Sequence, residues 1–230
     1  MIFQHRRIVS RQGKLESRNT VFRKIIASLD GHGSRLIGAW EVLVGPDAGC
    51  AIWQLRQFAD LTAWDAHQNR VRADENLREH HNQNRTVDMT ETAILRQVPV
   101  SPALPEEWPA VESVISAPRG YVEQRTMWFQ PGTTREHHKI YQEEVAPALE
   151  RDGVRLIGLF DTYIGPGTSN GASARSIELR RFDSLDCWQQ WKEGQDSDPA
   201  LRELMRSKYM QKIVQVDSAL MRPLDYSRIR

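Results

Sequence analysis

The side chains best suited to chemistry stand in two alternating runs. Gln54, Arg56 and Phe58 alternate with Trp53 and Leu55, and Glu178, Arg180 and Phe182 alternate with Ile177 and Leu179. Alternate residues of a strand share a face, so each run offers one apolar face and one arginine-bearing face. If helices cover the leucine face, Arg56 and Arg180 project into whatever space lies between the sheets. A guanidinium is permanently charged and grips a carboxylate through two parallel hydrogen bonds, so both suit an acidic ligand. An ion pair such as Arg56 with Glu178, which would only dock two sheets, explains the same residues. Glu123 and Arg125, two apart, also share a face, and Trp128 nearby can wall a pocket. His5 is set opposite Arg125 when the two halves of the chain are aligned. An imidazole of pKa about 6.5 beside a carboxylate makes an acid/base pair. The expected site therefore has His5 and Glu123 transferring protons, with Arg125, Arg56, Arg180, Glu178 and Trp128 binding a small molecule. The rival reading keeps Glu123 and Arg125 as parts of the fold and His5 as a rim residue.

These residues sit in a chain that repeats itself. Arg35-Leu36-Ile37-Gly38 returns as Arg155-Leu156-Ile157-Gly158, and Gly45-Pro46 as Gly165-Pro166. Leu55-Arg56-x-Phe58-x-x-Leu61-x-x-Trp64 returns as Leu179-Arg180-x-Phe182-x-x-Leu185-x-x-Trp188, four residues further displaced. A constant offset that jumps within the Gly/Ser-rich stretch 167–172 marks a duplicated module with one lengthened loop. Each copy reads β-α-β-β-α-β. In the first, a strand over Ile2–Val9 precedes a helix over Ser17–Leu29, strands Leu36–Val44 and Cys50–Phe58, a helix capped by Asp60, and a strand over Thr92–Val98. In the second, the strand Tyr121–Phe129 leads through Thr133-x-x-Glu136, a capping box, into a helix that Pro147 should kink or end. Modules at 1–98 and 120–230 flank a Pro-rich linker at 99–119. The expected class is α+β: two tandem ferredoxin-like units whose open sheet faces pack together as an intramolecular barrel.

Composition narrows the function classes. A net charge of +1 over 230 residues offers no field for nucleic acid. No apolar run approaches the length needed to cross a bilayer or to act as a signal peptide, so a cytoplasmic location without membrane association is expected. Cys50 and Cys187 are expected as buried free thiols. His80-His81 and His137-His138 are adjacent pairs whose side chains diverge by about 100° on a helix, so no metal site is expected. His137 and Tyr141, four apart, are read as ordinary helix surface. His67, which aligns with Trp191, is read as a core or rim position. Trp64, Trp188 and Trp40 are read as core. No phosphate loop, dinucleotide fingerprint or nucleophile elbow occurs.

The run Glu123-Gln-Arg125-Thr126-Met-Trp-Phe-Gln-Pro131-Gly132 resembles the opening strand of the NIPSNAP family. Arg155-Leu156-Ile157-Gly158 and Pro147-Ala-Leu resemble the same family's second strand and helix end. The resemblance covers most of both copies and implies the dimeric α+β barrel fold. That fold is shared by cofactor-free monooxygenases, isomerases and haem-handling proteins. The resemblance implies a small-molecule substrate and admits haem or a protein-interaction role, while no cofactor is otherwise expected. The fused unit could form a homodimer. Met127 stands where the family has tyrosine, and Gln54-x-Arg56 and Glu178-x-Arg180 replace a His-x-Trp pattern. The leading expectation is an enzyme of specialised or aromatic metabolism, an isomerase, lyase or cofactor-independent oxygenase with a pocket inside the barrel and no nucleotide cofactor. A non-catalytic ligand- or haem-binding or protein-interaction module is the alternative.

Overall fold

The computed structural model describes residues 1–83, 87–105, 107–109, 120–169 and 172–229. The first half runs β1 (Ile2–Ser10), α1 (Leu15–Gly31), β2 (Arg35–Val44), β3 (Ala51–Phe58), α2 (Leu61–Ala73), α3 (Glu75–Gln83) and β4 (Val87–Gln97). The second opens with β5 (Tyr121–Phe129), followed by the helix α4 in three stretches. These are α-helical over Thr134–Ile140, π-helical over Tyr141–Val145 and α-helical again over Ala146–Arg151. Next come β6 (Arg155–Ile164), β7 (Thr168–Ser169), β8 (Ala172–Ser173), β9 (Arg175–Phe182), α5 (Leu185–Ser197) and α6 (Pro199–Leu204). A π turn at Met205–Tyr209 and a 3₁₀ turn at Met210–Lys212 lead into β10 (Ile213–Pro223).

Eight strands close into an antiparallel barrel in the order β1-β3-β2-β10-β5-β9-β6-β4. The last strand of each half pairs across the seam, β4 with β6 and β10 with β2, so neither half keeps a free edge there. This is the expected α+β barrel made within one chain. The four-residue insertion folds as the small β7–β8 ribbon. Of the linker, Leu104 and Trp108 pack onto the barrel core, and Trp108 Nε1 donates to Gln57 Oε1 at 2.7 Å. Residue 106 and residues 110–119 lie outside the described residues.

The barrel interior is apolar and packed. Phe3, Trp53, Leu55, Phe160, Ile177 and Leu179 are among side chains from all eight strands that meet there, with Phe3 edge-on to Phe160 at 5.1 Å. The repeated Arg-Leu-Ile-Gly motif now has a physical reason. A Cβ on Gly38 would lie 1.9 Å from the Trp40 ring, and one on Gly158 2.7 Å from the Phe160 ring. Each glycine makes room for the aromatic ring two residues on. The leucine faces of β3 and β9 therefore look inward, and the arginine faces look outward beneath the helices. This reverses the expected orientation, so Arg56 and Arg180 do not line the inside of the barrel. A buried charge needs hydrogen-bonding partners, and the helix layers supply them to both arginines: Ser34 to Arg56, and Glu178 to Arg180.

A second correction concerns β1 and β5. His5 pairs with Leu55 and Gln124 with Leu179, so β1 matches β5 at a displacement of 119. Gln4 thus corresponds to Glu123, His5 to Gln124 and Arg6 to Arg125. A slip of one residue sends every side chain to the other face. The halves regain a displacement of 120 after the helices, where Asp152 follows α4 as His32 follows α1. One extra residue has therefore been absorbed within α4, and the π turn at Tyr141–Val145 is where a helix takes up such an insertion. Pro147 follows that turn directly and the helix continues to Arg151, neither ended nor broken there. Other local expectations divide. Asp60 Oδ1 accepts from the Ala63 amide at 2.8 Å, as a cap should. Thr133 makes no capping bond and instead donates to the Gln130 carbonyl at 2.8 Å. The helix after Asp60 breaks at Asp74, whose Oδ1 accepts from the Leu77 amide and starts α3. Cys187 is exposed and Cys50 partly so, contrary to two buried thiols.

Candidate functional site

In the second half, β5 and β9 present their outer faces to α4, α5 and the turn that ends at Tyr209. Glu123 and Arg125 on β5 lie opposite Arg180 and Glu178 on β9. Strand pairing thereby makes one cluster of four residues far apart in sequence. Glu178 is 0% exposed and takes four hydrogen bonds. Its Oε1 accepts from Tyr141 Oη at 2.5 Å and Arg180 Nε at 2.6 Å. Its Oε2 accepts from Arg180 Nη2 at 3.1 Å and Arg125 Nη1 at 3.3 Å. Burial alone would raise the Glu178 pKa. The Arg180 and Arg125 charges, with the bonds from Arg180 and Tyr141, hold it below the ordinary value instead. Tyr141 is pushed well above its ordinary pKa, first by burial and then by the Glu178 charge, so it stays a phenol and a donor.

Glu123 completes the cluster on the side toward α5. Its Oε1 lies 2.5 Å from Lys192 Nζ and its Oε2 3.8 Å from Arg180 Nη1. Glu123 Oε2 is buried and has no hydrogen-bond partner. The Trp191 ring lies 5.7 Å from the Arg180 guanidinium and forms part of an open cleft of about 500 Å³. Arg181, Phe182, Cys187 and Gln190 also line that cleft. Trp191, beside Arg180, lines this cleft, and its chain neighbour Lys192 pairs with Glu123. Lys192 is the more exposed partner of this ion pair, while Glu123 is buried.

His137 was missed as a site residue. It is fully buried on α4, with ring centroids of Phe129 and Tyr209 each 4.5 Å away. Neither ring nitrogen has a hydrogen-bond partner among the described residues. Burial, then the charges of His138 and Arg125 against that of Glu178, lowers its pKa to about 3. It is neutral at any physiological pH. The signal for its burial was available: His137, Tyr141 and Val145 recur every four residues and form the inward stripe of α4.

The other expected site residues lie elsewhere. His5 faces into the barrel, where it bonds Gln124 Oε1 at 3.1 Å and meets Trp53 edge-on at 4.9 Å. Burial, then repulsion from Arg175, lowers its pKa to about 3. Because Glu123 points to the opposite face of the sheet, His5 and Glu123 do not share a pocket. Arg56 lies in the first-half helix layer and donates to Ser34 Oγ at 2.8 Å. It therefore pairs with neither Glu178 nor Glu123. Trp128 is at the other end of β5, 5.1 Å from the Arg175 guanidinium and close to Gly167. Glu123, Arg125, Glu178 and Arg180 are thus brought together, while His5, Arg56 and Trp128 are not.

Among the described residues, no group of three or more His, Cys, Asp or Glu is arranged to hold a metal ion. Haem fits the histidines of the core poorly. His5 is enclosed in the barrel, His67 is bonded to the His32 carbonyl, and His137 is packed between two rings. No described helix is long and apolar enough to cross a membrane.

The sequence matches the model of the NIPSNAP family twice, over residues 4–102 and 122–228. The chain belongs to the NIPSNAP family. No curated protein matches it. The barrel of this NIPSNAP protein is similar to that of a candidate monooxygenase from Lactobacillus acidophilus, at 11% identity and TM-score 0.61, over 96% of this chain and 93% of that one. An anthrone oxidase-like protein is similar at 11% identity and TM-score 0.60, over 97% of this chain and 91% of that one. A NIPSNAP family protein from Agrobacterium tumefaciens shares 25% identity over 48% of this chain and 91% of its own, at TM-score 0.42. The two full-length likenesses establish the fold, a dimeric α+β barrel.

Proposed function

We propose that this NIPSNAP protein is a small-molecule enzyme that works by proton transfer without a nucleotide cofactor. Its reaction site, on this reading, is the second-half helix–sheet layer, reached through the cleft at Trp191. The observation that carries the reading is Glu123: a buried carboxylate with one oxygen lacking a hydrogen bond, held by Lys192 and Arg180, where Trp191 beside Arg180 lines an open cleft. A carboxylate so placed can take a proton from an acidic C–H or O–H, and Arg180 and Lys192 supply positive charge for the anion that forms. Arg125 and Glu178 position Arg180, and Tyr141 secures Glu178. Removal of a proton is the first step common to isomerisation, elimination and cofactor-independent oxygenation. The aromatic walls favour a largely apolar, enolisable substrate, and the names of the two full-length neighbours are compatible with that class. A cytoplasmic setting suits the two free cysteines.

Hydrogen exchange tests the reading. The protein is incubated in deuterated water with a panel of enolisable aromatic ketones and anthrones, and loss of the acidic C–H signal is followed by NMR. Exchange above the uncatalysed rate for at least one member is expected, with oxygen uptake if the anion goes on to react with dioxygen. Background exchange across the panel, with no oxygen uptake, contradicts the enzyme reading.

A further inference from the structure

The two helix–sheet layers are built alike and charged differently. In the second, Glu123 and Glu178 neutralise Arg180 and Arg125. Strand register matches these four with Gln4, Gln54, Arg56 and Arg6 of the first half. Both arginines are kept, and both carboxylates are replaced by amides of the same shape and no charge. Arg18 on α1 adds a third guanidinium, at the position that corresponds to His137. Asp30 is the one carboxylate that bonds any of these three arginines among the described residues. It is also shared, lying 3.4 Å from Arg56 Nη1, 2.9 Å from Arg228 Nη1 and 3.0 Å from the Leu36 amide.

Several buried polar atoms of the first layer lack hydrogen-bond partners among the described residues. Gln54 and Arg56 are 0% and 1% exposed and Arg18 is 4% exposed. Both amide atoms of Gln54, Arg56 Nη2 and Arg18 Nε have no hydrogen-bond partner among the described residues. Arg6, partly exposed at the side nearer solvent, has none there either. Burial, then repulsion from Arg56 and Arg18, lowers the Arg6 pKa to about 10. Burial lowers that of Arg56 to about 10, with Asp30 only partly offsetting it. Buried donors without acceptors and buried charges without counter-ions are rare, and they point to a missing partner. The required partner is anionic, and the sister layer shows its chemistry: a carboxylate receiving a guanidinium fork.

We propose that the first-half layer binds a small carboxylate whose –COO⁻ supplies to Arg6 and Arg56 the charge that Glu178 supplies to Arg125 and Arg180. Gln54 Nε2 and Arg18 are the further donors. Phe22, Ile8 and Tyr226, buried in the same layer, favour an apolar body on the ligand. The site is distinct from the proposed reaction site, because it lies under the helices of the other half.

Benzoate is the probe. Thermal unfolding is followed at rising sodium benzoate, against sodium chloride of equal ionic strength. The wild-type midpoint is expected to rise saturably with benzoate beyond the chloride control. Gln54→Glu places a carboxylate in the layer itself, so its midpoint should rise without ligand and the benzoate shift should vanish. Arg6→Gln, at a partly exposed position that should leave the fold intact, is expected to weaken benzoate binding at least tenfold. Glu123→Gln, in the other half, should keep the full shift. No benzoate shift in the wild type overturns the proposal. So does a shift that survives in both first-half variants, or one that is lost only in Glu123→Gln.

Discussion

Glu178 shows how much one buried carboxylate can hold in place. It accepts from two guanidiniums and a phenol, and among the described residues none of these donors has another carboxylate as near. Glu178→Gln leaves Arg125 and Arg180 under-compensated, and a loss of about 3–5 kcal/mol of stability by urea unfolding is expected. Tyr141→Phe removes a single bond to the same charged group and should cost about 1–3 kcal/mol. A drop below 1 kcal/mol for Glu178→Gln would mean that water replaces the carboxylate at little cost. The grouping of Glu123 with Arg125, and of Glu178 with Arg180, was legible because a strand repeats every two residues. That period says which residues share a face but not which face looks inward. The inward side was decided by volume, by Trp40 and Phe160 lying over glycines, which no spacing rule contains. Arg56 was expected between the sheets, yet it lies in the helix layer beside Asp30, a residue from the end of α1 that strand periodicity cannot bring to it.

At the scale of elements, α4 carries the largest departure from what the repeats predict. One added residue is spread through the π turn, and this keeps both ends of the helix in register with the sheet while turning Tyr141 onto Glu178. Deleting Gln142 should restore a continuous α-helix and rotate the Thr134–Tyr141 stretch by about 100° relative to the rest. Loss of the Tyr141–Glu178 bond and lower stability are expected, read together by near-ultraviolet circular dichroism and urea unfolding. An unchanged spectrum would show that the turn is incidental. The mismatch was hidden because the halves are most alike in β2 and β3, whose displacements of 120 and 124 were extrapolated backward across the helix to β1. There they misplaced His5 by one residue. The glycine that opens the motif in β2 is equally specific. Gly38→Ala drives a methyl into the Trp40 ring and should cost about 1–3 kcal/mol, with Gly158→Ala milder because its ring is further off.

The whole molecule couples these layers through its closed barrel. Its fold class and tandem plan were legible because duplication is written into the sequence, whereas the Glu123 cluster depends on three-dimensional matching of the halves. Acid stability follows from the buried histidines. His5, His67 and His137 have folded pKa values of about 3, 4 and 3, below the unfolded value of about 6.5. Below pH 6.5 the unfolded chain binds protons that the folded chain refuses, so stability is full above that pH and falls as the pH drops toward 3. Each unit of pH in that window costs up to about 1.4 kcal/mol per histidine. The depressed Glu178 pKa acts in the same direction at the acid end. Urea midpoints at pH 7.5, 6 and 5 should therefore fall in that order, and equal midpoints would contradict the burial of these rings.

The central claim is that the layer around Glu123 is a place of proton transfer. Its most direct test is the turnover number of Glu123→Gln, on the panel compound the wild type processes fastest, with the fold checked by circular dichroism. The amide keeps the shape and removes the base, so a fall of about 10²–10⁴-fold in kcat is the expected result. A folded Glu123→Gln protein with wild-type kcat would contradict it.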